Sequence, residues 1–136
     1  MIEEDGYGIY PYISKGDQAL NLDTHVGTRW YLHSSAVGKS VLAEMDDRRV
    51  EQITNRHGLP AETPNTVTTE QNLLDELDEI LERGVAFNGE KRAEGIRCVA
   101  APITNTEKNL LGGVSVSAPS TRLKSNRFRE KIPEKV

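Results

Sequence analysis

The chain has 136 residues, a net charge of -4, 36% apolar and 28% charged side chains, which fits a soluble globular domain with one modest core and excludes two. No apolar run is long enough to cross a bilayer, and the acidic opening Met1-Ile2-Glu3-Glu4-Asp5 lacks the basic-then-apolar order of a signal peptide. One cysteine permits no internal disulfide, so a reducing, cytoplasmic setting is expected. Residues 122–136 carry six basic and two acidic side chains, so this tail is +4 and the rest of the chain -8. An acidic body repels phosphate backbones, and a short basic tail reads as a solvated helix end. Zinc-finger spacing, an aromatic sheet motif for RNA and a legible helix-turn-helix are all missing, so direct DNA binding by this chain alone is not expected.

In chain order, Gly6 to Ile13 reads as a strand, Ser14-Lys15-Gly16-Asp17 as a turn, and Ala19 to Leu22 as a second short strand. Tyr7, Tyr10 and Tyr12 are taken as packing. Between Gly27 and Met45 the apolar residues Val37, Val41 and Met45 fall at i, i+4 and i+8, with Leu42 widening the stripe, and this predicts an amphipathic helix capped by Ser34 or Ser35. Small residues at its start leave backbone N–H groups open to a carboxylate or phosphate; ordinary capping, with Gly38 packed on the sheet, is the plainer reading. Gly38-Lys39-Ser40 resembles the end of a phosphate loop, but the glycine that motif requires five residues earlier is His33, which excludes a nucleoside triphosphate site.

Asp46 or Asp47 caps a further helix with Val50, Ile53 and His57 on one face, stopped by Gly58. Residues 60–69 form a Thr-rich loop, and Thr68 with Gln71 fits a capping box. The clearest helix runs from Thr69 to Arg83, with Leu73, Leu77, Ile80 and Leu81 on one face, carboxylates on the other, and Gly84 as the left-handed stop. A short strand, Val85 to Asn88, then precedes an irregular polar connection through Glu94. Two apolar runs, Ile96 to Ile103 and Leu110 to Ser117, bracket the polar turn 104–109 and predict an antiparallel hairpin. A last helix is expected from about Thr121 to Ile132. Strands alternating with helices, together with the hairpin, argue an α/β fold in which helices cover a sheet.

Within the second leg of the hairpin, Val114 and Val116 alternate with Ser115 and Ser117, so both hydroxyls share one face. With Cys98 beside them, that face has the composition of a small polar pocket. A carboxylate there would set its oxygens on the helix-start amides and the two serines, and its apolar part against Val37, Ile96 and Leu42.

Taken together, His33-Ser34-Ser35-Ala36-Val37-Gly38-Lys39-Ser40-Val41-Leu42-Ala43, the Thr-rich loop before an acidic helix, Arg83 to Asn88, Gly95 to Ile103 and Val114 to Pro119 resemble the effector-binding domain of IclR-type transcriptional regulators. The resemblance covers about residues 8 to 130. It implies a GAF-like antiparallel sheet covered by helices, in a domain that senses small organic acids or aromatic compounds for an N-terminal winged helix-turn-helix. It further implies an effector site of backbone at Ala36 and Val37, with Asn88, Cys98, Ser115 and Ser117, and a homodimer or tetramer. Neither the winged helix nor the family domain's opening helix and strand is found, so the single domain 1–136 looks like a fragment or a shortened gene product, with DNA reached only through the missing part. Asn88 stands where an aspartate occurs in members that bind small acids; its amide can still donate to a carboxylate.

Two rival readings stay open. Cys98 with His33 or His57 would make a nucleophile and base, yet nothing supplies an orienting third group or an oxyanion hole, and spacings give no metal geometry; no catalytic role, metal or cofactor is expected. The other rival is an association module whose pocket is vestigial, with an apolar face that binds a partner.

Overall fold

The computed structural model describes residues 1–13, 26–89 and 96–119, with the side chains of residues 88, 89, 96–98 and 117–119 outside that set. The expected strand 19–22 and final helix 121–132 lie outside the described residues. Among the described residues six strands and three helices follow in the order β1 (Ile2–Glu4), β2 (Tyr7–Ile9), β3 (Arg29–Tyr31), α1 (Ala36–Ala43), α2 (Asp47–His57), α3 (Glu70–Arg83), β4 (Ala86–Gly89), β5 (Ile96–Thr104) and β6 (Leu110–Pro119).

The acidic opening is itself a strand, so the sheet begins earlier than the expected Gly6. Asp5 and Gly6 both take positive φ, 53° and 84°, the two-residue turn whose twist matches an antiparallel hairpin, and β1 pairs with β2 from Ile2↔Ile9 to Glu4↔Tyr7. The following strand stops at Ile9, well short of the expected Ile13, and Tyr12 is 78% exposed instead of packed. β3, which pairs Tyr31 with Tyr7, falls in the segment just before the first helix. β4, β5 and β6 form a second antiparallel set in that order, joined to the first where the Met1 amino group donates to the Gly113 carbonyl at 2.7 Å and Gly113 N–H donates back to the Met1 carbonyl at 2.8 Å.

Local signals place the helix ends. Ser35 caps α1, Asp46 caps α2 through a 2.8 Å bond from Arg49 N–H, and α2 ends at Gly58. The expected cap of α3 moves by one residue: Thr69, not Thr68, accepts from Asn72 N–H. α1 also stops two residues short of Met45, because Glu44 closes it and Asp46 starts the next cap; Met45 still packs against the core. On α3, Leu73, Leu77 and Ile80 are buried at i, i+4 and i+7, whereas Leu81, one residue further round, is 55% exposed. Gly84 ends α3 at φ 85° with open space where a side chain would begin. Gly84→Ala should therefore cost only the left-handed backbone term, about 1 kcal/mol, read as a small drop in urea midpoint with unchanged slope.

The core lies between the second sheet and the helices. α1 packs across β4, β5 and β6 on one side and against α3 on the other. Ala86, Ala100 and Gly113 let it approach closely: a side chain on Gly113 would lie 2.8 Å from a methyl of Val37 and 3.1 Å from one of Val41. Leu32, Val37, Leu42, Leu73 and Val50 close the core at 2% exposure or less.

The opposite side of this sheet is different. There Ile103, Val114 and Val116 share a face and remain 44–45% exposed among the described residues.

Candidate functional site

Ser115 of β6 stands on the helix-covered side. Register pairs Ala100 with both Ala86 and Ser115, and Cys98 with both Asn88 and Ser117. By the two-residue period these rows share the face that carries Gly113, where α1 sits. Ala86 and Ala100 are fully buried and Ser115 is half-buried. Positions 88, 98 and 117 thus stand side by side on three strands, with Ser115 one row along and Ile96 one row beyond on the same face, opposite Pro119. Of the seven residues expected at the site, the side chains of Ala36, Val37 and Ser115 are described; Asn88, Ile96, Cys98 and Ser117 are placed by backbone register alone.

α1 supplies the other wall. Ser35, extended at φ -131° and ψ 154°, turns its hydroxyl to accept from Gly38 N–H at 3.0 Å, and its carbonyl accepts from Lys39 N–H at 3.0 Å. Those two bonds use the third and fourth amides of the helix. The amides of Ala36 and Val37 have no partner within the helix, because the N–H groups before Lys39 have no carbonyl one turn back and the cap reaches only that of Gly38. Both residues are buried, at 0% and 2% exposure. Two donors at the positive end of a helix, beside a face bearing a serine, form an environment suited to an anionic oxygen.

Gly38 packs differently from the expected contact with the sheet. A side chain there would meet the carbonyl and Cα of Leu32; the glycine seats α1 on the turn that follows β3.

The approach to α1 is polar and buried. His33, Ser34, Ser35, Lys39 and Ser40 are each 4% exposed or less. The Nε2–H of His33 donates to the Pro60 carbonyl at 2.9 Å and pins the Thr-rich loop. Burial pushes the His33 imidazole below its ordinary pKa, partly opposed by the Pro60 hydrogen bond and the charge of Glu62, with Lys39 acting downward. The unfolded chain therefore binds a proton at His33 before the folded one does. Stability from this residue is present above about pH 6.5 and is lost as pH falls below that value toward the lower folded pKa. His33→Gln, which can still donate to Pro60, should lose this part of the acid sensitivity, seen by comparing urea midpoints at pH 7.5 and 5.5.

Sequence reasoning missed the burial of Lys39. Its Nζ lies 2.8 Å from Glu76 Oε2 on α3. The available signal was a lone lysine in an otherwise uncharged stretch from Ser34 to Ala43. The second candidate base, His57, packs tilted against Tyr7 with ring centres 4.0 Å apart and donates to the Asp5 carbonyl at 2.7 Å; it lies on the α2 face of Val50 and Ile53, partly buried. Both histidines proposed as a base for Cys98 are thus engaged with backbone carbonyls.

The sequence matches the family described as bacterial transcriptional regulator IclR, C-terminal, over residues 2–136. It is 33% identical over 136 residues to the probable HTH-type transcriptional regulator ArcR of Halobacterium salinarum, across 98% of this chain and 52% of that protein. The chain spans about half the length of that relative. Among solved structures, IclR of Thermotoga maritima superposes with a TM-score of 0.88 at 29% identity, covering 95% of this chain and 52% of that one. A double mutant of the inducer-binding domain of PobR from Acinetobacter, in complex with 3-hydroxybenzoic acid, superposes with a TM-score of 0.86 at 19% identity over 98% of this chain and 78% of its own. The antiparallel sheet under helices is thus the GAF-like fold of these domains, and the relatives are regulators of transcription, a function that is not enzymatic. Its sequence and its fold agree: the chain belongs to the IclR family of bacterial transcriptional regulators, as a C-terminal regulatory domain.

Proposed function

We propose that this domain senses a small organic or aromatic acid and that occupancy controls DNA binding by a winged helix-turn-helix outside residues 1–136, in the cytoplasm. The observation that carries the reading is the pair of α1 amides, Ala36 and Val37, left over by the Ser35 cap and packed across the sheet face of Ser115. The carboxylate oxygens take those amides and the hydroxyls of Ser115 and Ser117. Asn88 and Cys98 border them in the adjoining strands, and the apolar part lies against Val37, Ile96 and Leu42. Each hydrogen bond to the charged carboxylate contributes ~1.5–3 kcal/mol net, so several together account for micromolar binding. That a double mutant of the PobR inducer-binding domain holds 3-hydroxybenzoic acid in a domain of this shape supports an aromatic or short acid as the ligand class.

A second reading, a homodimer or tetramer held through the sheet, is favoured by the outward apolar face of Ile103, Val114 and Val116. It is compatible with sensing and becomes the sole function if the pocket is filled.

The test is a thermal-shift screen with pyruvate, lactate and 3-hydroxybenzoate. A ligand at a hundred times its Kd adds about 2.7 kcal/mol to the folded state, several degrees for a domain of this size. No shift from any acid in a folded chain would favour the association reading.

A further inference from the structure

We propose that the ion pair between buried Lys39 and partly buried Glu76 is a positioning device of the site, holding the start of α1 in register with the strand that carries Asn88. The inference rests on the sensing reading for its functional consequence. Lys39 Nζ and Glu76 Oε2 are 2.8 Å apart, and their side chains are 1% and 29% exposed.

A lysine here is costly on two counts. It sits in the first half of α1, where the helix dipole disfavours a cation, and it is removed from water, which an ion pair seldom fully offsets. A methionine would fill the same space. What the charged pair adds is direction: a nitrogen and an oxygen meet at one rotation and one height of α1 against α3, while apolar contacts tolerate sliding.

The two helices carry the two walls of the site. α1 begins with the Ala36 and Val37 amides, and α3 runs through Gly84 directly into β4, where Asn88 stands beside Cys98 and Ser117. On the sheet side, α1 rests on Gly113 through Val37 and Val41, contacts without direction. Lys39 and Glu76 therefore supply a polar constraint on where the two amides point. Both are positioning residues, since neither is among the groups proposed to touch the ligand.

The experiment uses the whole chain with Lys39→Met/Glu76→Leu, and with Glu76→Gln as a gentler second variant. Each is read by thermal melting, by the backbone amide resonances of Ala36, Val37 and Gly38, and by the Kd of whichever of pyruvate, lactate and 3-hydroxybenzoate shifts the parent chain. The double variant is expected to melt within a few degrees of the parent, to shift those three resonances, and to bind the acid at least 10-fold more weakly. Unmoved resonances in a folded variant would overturn the proposal, as would an unchanged Kd. If the double variant does not fold, the same two readouts on Glu76→Gln decide. If the parent binds none of the acids, the sensing reading fails, and the resonances still report on whether the pair orients α1.

Discussion

Gly38→Ala is expected to lower stability by about 2 kcal/mol, although alanine is the better helix former by ~1 kcal/mol. The new methyl would fall 2.7 Å from Leu32 Cα and closer still to its carbonyl oxygen. Backbone cannot rotate aside as a side chain can, so α1 must lift from the turn after β3. Leu32, Val37 and Leu42, all nearly inaccessible, then lose contacts together. In a domain of this size the melting temperature should fall by roughly 5–10 °C, against the much smaller effect at Gly84, where nothing stands in the way. The same displacement moves the Ala36 and Val37 amides, so any acid that stabilises the parent should do so less. A melting temperature equal to the parent's would show that α1 can seat without the close approach.

Ser115→Ala/Ser117→Ala is the second large effect, and it concerns binding instead of folding. Losing two hydrogen bonds to a charged carboxylate removes ~3–6 kcal/mol, roughly 100-fold or more in Kd. That is enough to abolish the thermal shift produced by an acid near its saturating concentration. Stability of the unliganded chain should change little, because Ser115 is half-buried on a face already lined by alanines. Unchanged affinity in the folded double variant would remove these serines from the site. A collapse of stability would mean that the hydroxyls hold the sheet instead of a ligand.

Much of this molecule was written locally. Serine, threonine and aspartate caps, the 3.6-residue stripe of Leu73, Leu77 and Ile80, the glycines at 58 and 84, and the alternation of 114–117 each depend on neighbours within a few residues. They therefore set helix ends, the hairpin and the pairing of the serines on one face before any tertiary contact is known. Asp5-Gly6 was equally legible as a tight turn, but the charge of Glu3 and Glu4 hid the short strand before it; Ile2 and Gly8 needed partners across the hairpin to settle as sheet.

What alternation cannot decide is which of two faces is covered. Period two is symmetric, so valine-in and serine-in fit the string of residues 110–119 equally well. The choice fell to long-range packing: Ala86, Ala100 and Gly113 are small enough to admit α1 on the serine side, and the valines were left outward. The junction of the two strand sets through Met1 and Gly113, 112 residues apart, and the pairing of Lys39 with Glu76, 37 apart, have the same origin. Each is a contact between distant parts of the chain, and its energy is realised only once the intervening elements have folded.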